Sequence, residues 1–124
     1  MLPAVARLRR REDFTLVVRR GQRAGRGTLV VHRLIAGGGA PSCPSCPPRV
    51  GFIVGRGVGN AVRRHEVSRR LRHLMRERLD RLVRGDRLVI RANPASAGRT
   101  SAELAADLDR ALSRLGVVEE AVAQ

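Results

Sequence analysis

Two stretches rich in β-branched residues, RVGFIVG at 49–55 and DRLVIRA at 86–92, bracket one helix-forming run, GNAVRRHEVSRRLRHLMRERL at 59–79. Strand, helix and strand in that order constrain this chain more than any other feature. Parallel neighbours in a sheet need a crossover of about this length, and a helix supplies it. At about 100° per residue, Val67, Leu71, Leu74, Met75 and Leu82 fall on one side of the run, which must be the buried side. His65, Arg69, Arg72 and Arg76 fall on another, at steps of four, three and four. These four line one ridge, about 17 Å long at about 1.5 Å per residue.

The remaining elements follow from local chemistry. In REDFTLVVRRG, 11–21, Phe14, Val17 and Val18 recur at helical spacing, with Glu12 and Asp13 in the first turn and Arg19 and Arg20 in the last. Acid first and base last suits the helix dipole, and Gly21 ends the helix. TLVVHRLI, 28–35, reads as a strand. AGGGAPSCPSCPP, 36–48, cannot pack a core and is expected as a flexible loop that joins 28–35 and 49–55 as neighbouring strands. Its Cys43 and Cys46 lack the second ligand pair of a zinc site and the helix that follows a redox pair. Asn93-Pro94 closes the last strand. Thr100 and Glu103 form a capping box, and Leu104, Leu108, Leu112 and Leu115 make the apolar stripe of the final helix. Residues 117–124 read as a frayed tail. A chain of 124 residues, 43% hydrophobic, fits one core. The expected fold is a single-domain α/β sandwich, its sheet mostly antiparallel with one parallel pair joined by the arginine-rich helix.

Charge then points to the partner. The formal net charge is +14, and all 25 basic residues are arginine. Residues 1–100 hold 23 of them against 6 acids, whereas 101–124 hold 2 against 5. A balance this lopsided calls for a polyanion, and the guanidinium fork grips phosphate in pairs and stacks on bases. Arg63 and Arg70 flank the helix's apolar stripe on the edge opposite the ridge, and Glu66, Glu77 and Asp80 dilute the charge only in part. The plainer reading, a charged face laced with i,i+4 pairs, wants more acids than the helix has. Membrane-surface binding is disfavoured because the helix needs its apolar face for the core. No apolar run is long enough to cross a bilayer, and MLPAVARLRRRED lacks the apolar stretch of a secretion signal, so a cytoplasmic protein is expected.

Catalysis by the polypeptide itself finds no support. Phosphodiester hydrolysis wants clustered carboxylates for metal ions or a histidine pair for general acid and base. The acids are scattered, and His32, His65 and His73 lie on different elements or separated turns. GRGVGNAV is only weakly like a nucleotide fingerprint, and its glycines suit a strand-to-helix turn. No catalytic residue and no metal ligand is expected.

GNAVRRHEVSRRLR resembles the signature helix of the bacterial ribonuclease P protein component family, whose usual pattern is G-N-A-V, one variable residue, then R-N-R-x-K-R-x-x-R. RLRRREDF with the following RRG resembles that family's opening helix, RVGFIVGRGVGNAV its central strand, and DRLVIRANPAS its last strand and turn. The match implies an RNA-binding domain over 1–116. It carries the family's retained arginines onto Arg64, Arg69 and Arg72, with Gly59 and Asn60 at the helix entrance. Together with the basic ridge and its flank, the expected RNA-binding set adds Arg63, His65, Ser68, Arg70 and Arg76. Three positions depart from the pattern: His65 stands for Asn, Glu66 for Arg and Ser68 for Lys. Glu66 would repel phosphate and is expected to face elsewhere.

The resemblance also implies a cleft between the first helix and the sheet that takes the 5′ leader of precursor tRNA, with Phe14, Val18 and His32 at the matching positions. Only Phe14 keeps a ring, and with no Trp or Tyr a stacking platform is nearly absent, so arginine planes and His32 would carry the contact. Phe14 reads equally as a core anchor of its helix. The implied function is that of an endoribonuclease subunit: the catalytic RNA carries the active site and its magnesium ions, and the protein assists removal of the leader. The crossover is implied to be left-handed, against the right-handed rule. From the residues alone a ribosomal-type RNA-binding protein stays open. A DNA-binding module is disfavoured by the lack of a short-turn helix before the basic one.

Overall fold

The computed structural model describes residues 6–25, 27–35 and 45–117. The chain runs α1 (Arg11–Arg20), β1 (Gln22–Ala24), β2 (Leu29–Leu34), β3 (Arg49–Val54), α2 (Ala61–Arg76), β4 (Arg87–Ala92) and α3 (Ser101–Arg114). The four strands form one sheet in the order β1-β2-β4-β3. Pairs β1–β2 and β2–β4 are antiparallel, and β3–β4 is the parallel pair joined through α2.

Two expectations are corrected here. β2 and β3 are not neighbours, because β4 lies between them, Ile90 facing Val31 on one side and Phe52 on the other. Leu88, Val89 and Ile90 are all fully buried, and only a central strand hides consecutive residues on both faces. A long connection is not bound to hairpin geometry, so nothing held β3 beside β2. The second correction is β1, whose three residues QRA carry no apolar alternation and are defined only by pairing with Arg33, His32 and Val31.

The strands sort their side chains between two cores. Leu29, Val31, Val50, Leu88 and Ile90 face α2 and α3 and pack with Val67, Leu71, Met75, Leu104, Leu108 and Leu112. Leu34 and Val89 face the other way, toward Val17 of α1 and Leu8. The α3 stripe is buried as its spacing required, and the Thr100–Glu103 capping box is made in both directions. Phe14 lies against Gly51 so closely that a Cβ there would stand 2.5 Å from its Cε1, which is why β3 carries a glycine at that point.

Of the expected loop and tail, 36–44, with Cys43, and 118–124 lie outside the described residues. Its last residues are tied down: Gly85 N–H donates to the Cys46 carbonyl at 2.8 Å and Arg84 to that of Ser45 at 2.9 Å. Val117, placed in the tail by its position, is a core residue whose N–H donates to the Leu112 carbonyl at 2.8 Å, closing α3.

One buried ion pair crosses the larger core. Arg33 of β2 reaches fully buried Asp86 at 2.9 Å and the Leu115 carbonyl at 2.7 Å, while Asp86 also accepts from Val83 N–H at 3.0 Å. The link ties the sheet centre to the end of α3. Arg33 Nε and Asp86 Oδ1 are nevertheless buried without partners, so the pair is incompletely satisfied. Removing one charge strands the other, which typically costs about 3–5 kcal/mol, whereas an apolar pair of similar volume is nearly neutral. We therefore expect Asp86→Ala to destabilise by about 3 kcal/mol in denaturant unfolding and Arg33→Met with Asp86→Leu to recover most of it; equal losses would show that packing, not the stranded charge, sets the cost.

Candidate nucleic-acid interface

The entrance of α2 is built from backbone requirements. Gly59 adopts φ 148°, a region that disfavours side chains, and a Cβ there would lie 3.1 Å from that of Arg63. Asn60 then caps the helix, its Oδ1 accepting from Arg63 N–H at 2.9 Å. Just before it, a 3-10 turn at Arg56–Val58 inserts Val58 into the core. The element immediately before α2 is β3 with its 3-10 turn and not an α-helix, so the short-turn pair of helices that a helix-turn-helix needs does not end in α2. Val67, Leu71, Leu74 and Met75 are buried as expected, but α2 ends at Arg76; Leu82 reaches the core through a 3-10 turn at Leu79–Arg81, not along the helix.

Carboxylates sort the arginines into two populations. Glu66 lies 3.1 Å from Arg63 and 3.4 Å from Arg70, and Arg70 also donates to the Arg99 carbonyl at 2.6 Å. Asp109 of α3 takes a fork from Arg78 at 2.7 and 3.1 Å and a further bond from Arg81 at 3.0 Å. These bonds, led by the one from Arg78, hold the Asp109 carboxyl below its usual range despite burial. By contrast, no carboxylate among the described residues lies within ion-pair distance of Arg64, Arg69, Arg72 or Arg76. Arg69, Arg76 and His65 are exposed, Arg72 and Ser68 half-buried. Arg64 has its Nε buried with no acceptor in the protein. The arginines of the ridge thus keep their charge, while Arg63 and Arg70, on the opposite edge of the apolar stripe, are partly neutralised by Glu66.

On the opposite face of the sheet, α1 covers only part of the strands. Beyond it a cleft of about 450 Å³ opens, lined by Val18, Val30, His32, Ile53, Arg23 and Arg91 among others. Register explains the grouping: Val30, Arg91 and Ile53 form one cross-strand row, and Arg23 sits opposite His32 in the next. His32 is 5% exposed, with Nδ1 unpartnered. Burial first, then the charges of Arg23 and Arg91, hold its pKa below 6.5, so the ring is neutral at pH 7.

Phe14 does not join Val18 and His32 in this cleft. One helical turn earlier on α1, it lines a neighbouring groove of about 290 Å³ with Phe52, Arg7, Arg9, Ser68 and Arg72. Arg91 was legible, since alternation along β4 turns it away from Leu88 and Ile90. Arg23 was not, because β1 carries no pattern. Among the described residues no helix is long and apolar enough to cross a membrane, and no three His, Cys, Asp or Glu side chains gather as a metal site.

Comparison with known proteins gives one consistent answer. The family model described as Ribonuclease P matches residues 2–116. The ribonuclease P protein component of Streptomyces avermitilis is 55% identical over 118 residues, 93% of this chain and 95% of that protein, and that of a Nocardioides species is 53% identical over 94% of this chain and 96% of its own. Two solved structures share the fold: the RNase P protein of Staphylococcus aureus at TM-score 0.74 and 18% identity, covering 92% of this chain and 98% of that one, and that of Thermotoga maritima at 0.68 and 24%, covering 91% and 97%. A sequence match spanning both the arginine helix and the strands around it leaves one reading: the chain belongs to the ribonuclease P protein family, the protein components of an endoribonuclease.

Proposed function

We propose that the ridge of α2 holds the catalytic RNA of ribonuclease P, and that the cleft beside α1 takes the 5′ leader of precursor tRNA. The observation that carries this reading is the sorting of charge. Arg64, Arg69, Arg72 and Arg76 have no carboxylate partner among the described residues, whereas Arg78 and Arg81 just beyond α2 are engaged by Asp109, and Arg63 and Arg70 by Glu66. Guanidinium groups left without counter-charge on one helix face are suited to a row of phosphates, and binding them releases condensed counterions. Gly59 and Asn60 set the ridge's position by fixing where the helix starts. Of the residues that depart from the family pattern, His65 is exposed on the ridge and Ser68 faces the groove, so both lie where RNA would pass. Glu66 turns toward Arg63 and Arg70, away from the ridge.

In the cleft, Arg23 and Arg91 supply charge for the leader backbone, while neutral His32 offers a ring and a hydrogen bond to a base. Val18 contributes an apolar wall. The chemistry of cleavage, with its magnesium ions, belongs in this reading to the RNA subunit. What the protein contributes is relief of repulsion between ribozyme and transcript, which matters most when magnesium is scarce.

The direct test is leader removal from precursor tRNA by the catalytic RNA at low magnesium, with and without the chain. Stimulation by the wild type and its loss in Arg69→Glu or Arg72→Glu are expected, while Arg99→Ala, whose guanidinium already serves Glu103 at 3.1 Å, should leave stimulation intact. Affinity for the RNA should fall steeply with salt, and Arg69→Ala should lower the steepness of the log–log plot by about 1; a flat salt dependence rejects the electrostatic account. For the cleft, NMR titration should put the His32 midpoint below 6.5, and Arg91→Ala should raise it without restoring 6.5, because burial is the larger cause. Since the folded-state pKa lies below the unfolded one, His32 lowers stability as pH falls below about 6.5, and His32→Gln should remove that part of the acid sensitivity.

A further inference from the structure

Strand β1 has the least support of any element in the sheet, yet it carries part of the cleft wall. It is three residues long, pairs only with β2, and sets Arg23 opposite His32. An edge pairing this short has little strength of its own, so its ends must be held. At one end Gly21 N–H donates to the Val17 carbonyl of α1 at 2.8 Å. The other end runs into the turn before β2, and that turn is gripped from two directions. From α3, Asp107 Oδ2 accepts from the hydroxyl of buried Thr28 at 2.5 Å and from its N–H at 3.3 Å. From the end of β4, Asn93 donates its N–H to the Thr28 carbonyl at 2.9 Å and its side-chain Nδ2 to the Gly27 carbonyl at 3.0 Å.

Resting on the reading of the cleft given above, we infer that Thr28, Asp107 and Asn93 are positioning residues for leader binding: they fix the turn between β1 and β2, and through it hold Arg23 where the leader backbone passes. Asp107 stands between Leu104 and Leu108 in the sequence of α3, both fully buried, so its own place is set by the core. It takes no part in the cleft wall, because α3 packs on the other face of the sheet. The bond from a hydroxyl to an ionised carboxylate is among the stronger hydrogen bonds a protein makes. Led by that hydroxyl, the bonds to Asp107 hold its carboxyl below the usual range against the opposing effect of burial, so the acceptor is charged at neutral pH. A side chain at Gly27 would crowd the same carboxylate, its Cβ standing 3.3 Å from Oδ2. The cluster thus links a surface strand to the buried helix behind the sheet, and neither Thr28 nor Asp107 lies on the helix of the arginine ridge.

The test uses the full chain with the catalytic RNA and precursors bearing a long or a very short leader. Thr28→Val removes the hydroxyl, and Asp107→Ala breaks the same bond from the other side. Each should raise KM for the long-leader precursor by on the order of tenfold with kcat unchanged, and leave the short-leader precursor and binding to the catalytic RNA alone as in the wild type. Thr28→Ser, which keeps the hydroxyl, should behave as wild type. Arg23→Ala should show the same loss, and adding Thr28→Val to it should cost nothing more, because the cluster acts through Arg23. In NMR titration Thr28→Val should raise the His32 midpoint as Arg23→Ala does, since the Arg23 charge is one of the causes that depress it. Thermal melts establish that the variants are folded. Additive losses, or equal losses on both precursors, assign the cluster a merely structural role and overturn the inference. So does a folded Thr28→Val with unchanged KM and an unchanged His32 midpoint, while Arg23→Ala impairs the long leader. Should Arg23→Ala itself spare the long leader, the reading of the cleft falls, and this inference with it.

Discussion

Burial of one stripe of α2 is the constraint on which the rest of this structure depends. Val67, Leu71, Leu74 and Met75 can be hidden together in only one rotation of the helix, and that rotation decides which arginines meet solvent. The stripe shares one core with residues of β3, β4 and α3, the last packed beside α2 on the same face of the sheet. Rotating the helix by a single residue step would send a guanidinium into the core and a leucine into water. Core packing and the charged surface are two outcomes of one choice.

Self-repulsion is the cost of a +14 chain, and the fold manages it by position. Acids are spent where arginines must come close to each other or to the core. Asp109 gathers Arg78 and Arg81, Asp86 gathers Arg33, and Glu66 gathers Arg63 and Arg70. One of these acids, Asp109, comes from residues 101–124, the part of the chain with net negative charge. Among the described residues, arginines without a carboxylate partner include those of the ridge, Arg9 at the groove mouth, and Arg23 and Arg91 in the cleft. A folded RNA offers the counter-charge that the protein withholds from itself, so the same arrangement that limits stability provides affinity.

The two concave features follow from how α1 meets the sheet. Because α1 is short, it covers Leu34 and Val89 but leaves the row of Val30, Arg91 and Ile53 open, which makes the cleft. Because Gly51 admits the ring of Phe14, α1 also sits low over β3 and leaves a groove at its edge. In a chain with two phenylalanines and no other large aromatic, placing both at one edge concentrates the available stacking surface.

Local chemistry made much of this legible in the sequence. The apolar stripe of α2, its arginine ridge, the capping box at Thr100 and Glu103, and the stripe of α3 all depend on spacing within one element, and periodicity reports spacing. The family resemblance likewise rested on contiguous segments. Strand order was not legible: β4 between β2 and β3 is a matter of which partner buries its two apolar faces, and that is settled between segments far apart in the chain. β1 was invisible because its residues QRA have no pattern of their own, and with it went Arg23 opposite His32. The sequence by itself determined which face of α2 is basic, since helix geometry needs nothing else. Only the tertiary structure decided which arginines stay free of carboxylates, and that Phe14 stands with Phe52 instead of His32, because ion pairs and ring contacts join residues that no local rule relates.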